Sequence, residues 1–188
     1  MRHYLAVNDI DSLEDWVKEA LEIKAAPLEF QELGKNKTIG LLFFNNSLRT
    51  RLSTQKAAAN LGMQSMVMNF NNDGWLLEFE DGVVMDQGKS EHVKEAAQVI
   101  SQYCDIIAIR AFPTLTDKEK DKSEEVLKSF KKYATVPVVN MEGSTGHPLQ
   151  ALADAITIEE FKTSERPKVV LSWAPHPRAL PHAVANSF

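Results

Sequence analysis

Short apolar runs alternate along this chain with stretches of helical periodicity, and this alternation restricts the fold more than any other feature. Thr38 to Phe44 (TIGLLFF), Ser65 to Phe70 (SMVMNF), Asp105 to Arg110 (DIIAIR), Pro137 to Asn140 (PVVN) and Lys168 to Trp173 (KVVLSW) read as strands. The first is nearly continuous in apolar residues, as suits a strand covered on both faces. Leu13, Trp16, Val17, Ala20 and Leu21 follow the spacing of an amphipathic helix, with Asp11 or Ser12 as its cap. Leu48 to Leu61 reads as a helix ended by Gly62, and Val93, Ala96, Ala97 and Ile100 share the face of another. Thr116 with Glu119 makes a capping-box pattern for a helix to about Lys132. Leu149, Leu152, Ala153 and Ile156 mark a further helix ending near Phe161, and residues 71–90 read as a long irregular stretch. Strands alternating with helices predict an α/β fold, a parallel sheet flanked by helices.

Composition narrows the function classes. The 188 residues suffice for one domain and a fraction. A net charge of −5, from 21 basic and 26 acidic residues, argues against a general nucleic-acid binder. It does not argue against a small anion, which a few local arginines can hold. Cys104 is the only cysteine, so an intrachain disulfide and a Cys-rich zinc site are excluded. No apolar run approaches the ~18 residues of a membrane span, and MRHYLAVNDIDS lacks the apolar core of a signal peptide. The expected location is the cytoplasm, with no membrane or nucleic-acid partner.

Ligands of open parallel sheets bind beyond the carboxyl ends of the strands. That rule selects residues 45–51, 110–113, 140–150 and 173–181. In the first junction, FFNNSLRTR, a buried strand gives way to a helix that starts at Ser47 or Leu48. A helix N-terminus favours an anion; Ser47 and Thr50 add hydroxyls, and Arg49 adds a cation able to grip phosphate by two bonds. Read singly, each residue also has a plainer role. Ser47 serves as a helix cap, Arg49 and Arg51 as solvated charges, Arg110 as an exposed strand end, and His147 as a turn residue before Pro148. Gln150 and Asp154 serve as an i, i+4 surface pair. No GxxxxGK[ST] or GxGxxG pattern is present, which disfavours a nucleotide-binding protein.

Together these segments resemble the aspartate/ornithine carbamoyltransferase family. SLRTR at 47–51 resembles its carbamoyl-phosphate loop STRTR, with Leu48 in place of a threonine, so that one hydroxyl is lost and the backbone N–H at 48 remains. Arg110 stands at the strand end where the family places an arginine. HPLQ at 147–150 matches its HPxQ, and DAITI at 154–158 matches its DxxTI. Asp73-Gly74-Trp75, with the WAPHP segment at 173–177, looks like the N-acylornithine branch. The resemblance implies carbamoyl-phosphate binding by Ser47, Leu48, Arg49, Thr50, Trp75, Arg110, His147 and Gln150, with Arg110, His147 and Thr50 catalytic. It implies acceptor contacts from Glu142, His176 and Ser90. It also implies a homotrimer in which Trp75 reaches a neighbouring subunit, and no cofactor or metal.

Ser90 bears on the acceptor. Acetyl-type enzymes carry a glutamate at the matching place, which would repel the charged end of a succinyl group. A serine therefore favours N-succinylornithine over N-acetylornithine, and a shift of one residue, to Glu91, reverses the inference. Against catalysis stands a truncated, non-catalytic phosphate-binding module. The family resemblance assigns residues 1–155 to a carbamoyl-phosphate domain. It assigns 156–188 to the end of an interdomain helix and the first strand and loop of an amino-acid-binding domain, so 188 residues reads as part of a longer enzyme.

Overall fold

The computed structural model describes residues 3–70, 75–85 and 88–172. The strands, in chain order, are β1 (Thr38–Phe43), β2 (Gln64–Asn69), β3 (Leu77–Glu78), β4 (Glu91–His92), β5 (Ile106–Arg110) and β6 (Val138–Glu142). The helices are α1 (Leu13–Ala25), α2 (Leu48–Asn60), α3 (Val93–Tyr103), α4 (Lys118–Ser123), α5 (Glu125–Tyr133) and α6 (Pro148–Phe161). Four strands form a parallel sheet in the order β2–β1–β5–β6. The α/β fold read from the sequence is the fold observed.

Strand periodicity divides the core. Leu42, Ile107 and Ile109 point to one face, where α3 and α5 supply Val93, Ala97, Leu127 and Phe130. Leu41, Phe43 and Ala108 point to the other, with Met141 and, from α6, Leu149. Leu41, Leu42, Ile107 and Ile109 are fully buried, which is why their runs lack polar alternation. The outer edge of β6 is covered by the N-terminal segment: Tyr4 N–H donates to Val138 O at 2.9 Å and Asn140 N–H donates to Tyr4 O at 2.8 Å. That pairing protects an edge otherwise open to association.

Three expectations require correction. The helix expected from Thr116 to Lys132 is two helices, divided at Glu124, whose backbone is left-handed at φ 51°, ψ 40°. Its cap is Asp117, not Thr116, because the Asp117 carboxylate accepts from the amides of Glu119 and Lys120. The strand expected at 168–173 is absent over its described residues, 168–172. Val170 there is 77% exposed, and an apolar run with no neighbouring strand among the described residues does not form a ladder. The stretch read as irregular contains β3, which pairs in parallel with β4 just beyond it, where Leu77 enters the core beside Val93.

Candidate active site at the carboxyl ends of the strands

The end of β1 delivers the chain to Ser47, the N-cap of α2. Its side chain accepts from Thr50 N–H at 3.3 Å, and its hydroxyl donates to Thr50 Oγ1 at 2.9 Å. The first turn of α2 holds no acidic side chain. The amides of Leu48 and Arg49 lie in that turn, where a helix has no internal partner for them. The result is a positive helix end carrying two hydroxyls and the guanidinium of Arg49, suited to a phosphate. Arg51, read from sequence as a solvating charge, instead donates through Nη2 to Asn69 Oδ1 at the end of β2 and lies 4.9 Å over the Phe43 ring.

Arg110 ends β5, and its side chain is only 11% exposed. Nε and Nη2 each lie 2.9 Å from Glu142 Oε2, while Nη1 donates to the carbonyls of Asn45 and Asn46 at 3.3 Å. The guanidinium thus ties the end of β6 to the loop that opens α2. An irregularity in the ladder makes the pairing possible: Ile109 faces Asn140, but Arg110 faces Glu142. Skipping Met141 puts Arg110 and Glu142 on the same face. Phe112 N–H donates to Asn45 Oδ1 at 2.6 Å, closing the same junction from the other side.

His147 is the N-cap of α6, and Pro148 occupies the first turn, where its missing N–H costs nothing. His147 Nδ1 accepts from Gln150 N–H at 3.3 Å. In the neutral ring the proton therefore sits on Nε2, which makes His147 a donor rather than a base. Burial, aided by the nearby Arg110, pushes the imidazole below its ordinary value, while Glu142 and Asp154 oppose that shift. Gln150 donates through Nε2 to Asp154 Oδ1 at 2.7 Å, which fixes its amide and leaves Oε1 as the acceptor.

Trp75 and Ser90 lie at the β3–β4 pair. Trp75 is 51% exposed and its Nε1 donates to Glu91 Oε2 at 3.1 Å; Ser90 N–H donates to Leu76 O at 2.8 Å. The carboxylate of Glu91 is thereby committed to the indole. His176 lies outside the described residues. Sequence reasoning did not find the Arg110–Glu142 pair, Asn45 or Asn69. The available signal was Asn69 and Glu142 at the ends of β2 and β6 and Asn45 just after β1. Among the described residues, no group of His, Cys, Asp and Glu side chains is placed to hold a metal, and no helix is long and apolar enough to cross a membrane.

Residues 2–160 match the family described as aspartate/ornithine carbamoyltransferase, carbamoyl-P binding domain. Over 188 residues the chain is 53% identical to N-succinylornithine carbamoyltransferase of Bacteroides thetaiotaomicron, covering 100% of this chain and 59% of the relative. It is 43% identical over 196 aligned residues to N-acetylornithine carbamoyltransferase of Xanthomonas axonopodis pv. citri, covering 100% of this chain and 55% of that protein. A solved structure of a glutamate-to-serine variant of N-acetyl-L-ornithine transcarbamylase, complexed with carbamyl phosphate and N-succinyl-L-norvaline, superposes with a TM-score of 0.89. Its sequence identity is 43%, over 100% of this chain and 57% of that one. The chain therefore spans between half and two thirds of the length of these proteins.

Proposed function

The chain belongs to the aspartate/ornithine carbamoyltransferase family, and from that premise we propose that it is the carbamoyl-phosphate-binding part of an N-succinylornithine carbamoyltransferase of arginine biosynthesis. The observation that carries this reading is the convergence of the α2 N-terminus, Arg110 and His147 at one end of the sheet. Residues 1–155 are the carbamoyl-phosphate domain, and 156–188 are the end of α6 and the start of the amino-acid-binding domain. The complete enzyme is a cytoplasmic homotrimer in which Trp75 reaches a neighbouring subunit.

The chemistry follows from charge. The δ-amine of the acceptor, neutral when it attacks, adds to the carbonyl carbon of carbamoyl phosphate, and the carbon–oxygen bond to phosphate breaks. Negative charge builds on the carbonyl oxygen and on the departing phosphate. Arg110, Nε2–H of His147 and the Thr50 hydroxyl donate to the first, as an oxyanion hole requires. Ser47, Arg49 and the amides at Leu48 and Arg49 hold the second. Gln150 Oε1 accepts from the carbamoyl NH2. The leaving phosphate takes the amine proton, so no protein base is needed. Alignment and exclusion of water supply much of the acceleration.

Succinyl over acetyl is supported by the higher identity to the relative named N-succinylornithine carbamoyltransferase, 53% against 43%. It is also supported by the Trp75–Glu91 bond, which engages the adjacent carboxylate and leaves the neutral Ser90 as the position that matches the acceptor selector. Carbamoyl transfer by the complete enzyme is assayed with N-succinyl-, N-acetyl- and free ornithine. The expected result is fastest turnover of the succinyl acceptor. Turnover of free ornithine alone rejects the N-acyl reading, and calorimetric binding of carbamoyl phosphate without any transfer identifies a non-catalytic module.

A further inference from the structure

Two features near the site play no part in the chemistry above. Leu115 and Glu124 hold left-handed backbones, at φ 65° and φ 51°, a conformation costly for residues with a Cβ and kept only where the surroundings impose it. Both border α4, and both are associated with a carboxylate that bonds into a loop. Asp121 Oδ1 accepts from Thr114 N–H at 2.7 Å and from the Thr114 hydroxyl at 3.0 Å, while Oδ2 accepts from Leu115 N–H at 2.9 Å. Glu124 Oε1 accepts from Thr145 N–H at 2.6 Å and from the Thr145 hydroxyl at 2.8 Å. Each carboxylate thus grips the amide and hydroxyl of one threonine. Thr114 lies in the loop after Arg110, and Thr145 lies in the loop before His147.

The Glu124 grip also shapes its partner. A Cβ at position 143 would stand 2.7 Å from Glu124 Oε1 and 2.9 Å from Oε2, so only glycine admits the carboxylate there. Gly143 N–H closes the same turn on Gly146 O at 2.9 Å, and Asn140 Nδ2 donates to Gly146 O at 3.3 Å. The next residue is His147.

We propose that α4 is a two-pronged clasp, in which Asp121 and Glu124 act as positioning residues that fix the Arg110 loop and the His147 loop relative to one another. The assignment of a catalytic role to those loops rests on the function proposed above; the clasp itself rests on the hydrogen bonds and on the two left-handed residues. The strain at Glu124 is informative. A glycine would adopt that backbone freely, so the sequence retains a side chain whose contribution there is its carboxylate.

The test reads His147 directly and needs no substrate. In Glu124→Gly the backbone strain is relieved and the grip is lost. The 145–147 loop is then expected to loosen, giving faster amide hydrogen exchange at Thr145. The His147 titration midpoint, followed by NMR, is expected to rise toward that of a free imidazole as burial is lost. Glu124→Gln keeps Oε1 as an acceptor and should restore both values; Thr145→Val, which keeps the amide but not the hydroxyl, should fall between. In an enzyme that transfers carbamoyl, the glycine variant should also lose roughly a hundredfold in turnover, the scale of a 1 Å misplacement. The clasp is refuted if Glu124→Gly leaves the Thr145 exchange rate and the His147 midpoint at wild-type values. Because both readouts are free of substrate, that result is distinct from a wild-type protein that shows no transfer, which would count against the enzyme reading alone.

Discussion

At the scale of single residues, the buried pair Arg110–Glu142 carries a stability consequence. The two side chains are 11% and 7% exposed, and a buried carboxylate left without its partner is strongly disfavoured. Arg110→Met should cost about 3–5 kcal/mol in urea denaturation, whereas Arg110→Met combined with Glu142→Leu should cost clearly less. Equal losses in the two variants would show that the pair is not coupled. His147 carries a pH signature. Folding lowers its pKa through burial, so the unfolded chain binds the proton more readily. The stability this confers is complete above the ordinary imidazole value and is lost as pH falls through the lowered one. His3 is also lowered by burial and adds to the same limb. Thermal melts between neutral and mildly acid pH should show this decline, and His147→Asn, which retains a capping side chain, should flatten part of it. Ser90→Glu should shift preference from the succinyl toward the acetyl acceptor by about tenfold, through charge repulsion; an unchanged ratio in competition assays would remove Ser90 as the selector. Arg110 was legible in the sequence because it ends a strand, and His147 and Gln150 because HPLQ at 147–150 resembles the family's HPxQ. Glu142 as the partner of Arg110 was not, since that contact depends on the skipped residue in the β5–β6 ladder, which no local pattern encodes.

At the scale of elements, packing at β1 is tight enough to be tested with one methyl group. A Cβ on Gly40 would meet Cys104 Sγ, at the end of α3, at 2.8 Å. Gly40→Ala should therefore destabilise by about 1–3 kcal/mol, the usual cost of overpacking. Cys104→Ala, by removing the sulfur, should recover most of that loss in the double variant, and additive losses would place the strain elsewhere. The elements that sequence periodicity marked well, β1 and α3, are those whose apolar residues enter the core. Where the reading failed, the cause was long-range. The break between α4 and α5 follows from the bonds of Glu124 to Thr145, 21 residues away. The pairing of β3 with β4 rests on the burial of Leu77 rather than on any strand pattern. The run at 168–172 has strand propensity but no adjacent strand among the described residues, and propensity without partners does not make a sheet.

At the scale of the whole molecule, the surface indicates how the proposed assembly can be tested. Leu48 and Leu52 lie one turn apart on α2 and are 74% and 58% exposed, while Trp75 is 51% exposed. In a monomer, large apolar side chains so exposed on the helix proposed to bind carbamoyl phosphate bring no benefit to folding. In the proposed trimer they would lie where one subunit meets the next, and each site would be completed by a neighbour's indole. Leu52 makes the cleaner probe, because it lies outside the set of residues assigned to carbamoyl phosphate. Light scattering of the complete enzyme should give three times the mass of a single subunit for the wild type. Leu52→Glu should reduce it to a single mass, with the far-ultraviolet dichroism of the α/β fold retained. Transfer activity should fall together with the mass, because a subunit alone lacks the neighbour's Trp75. A wild-type protein that transfers carbamoyl as a single chain at all concentrations would refute the shared site. Leu52→Glu that remains trimeric would place the contact on another face.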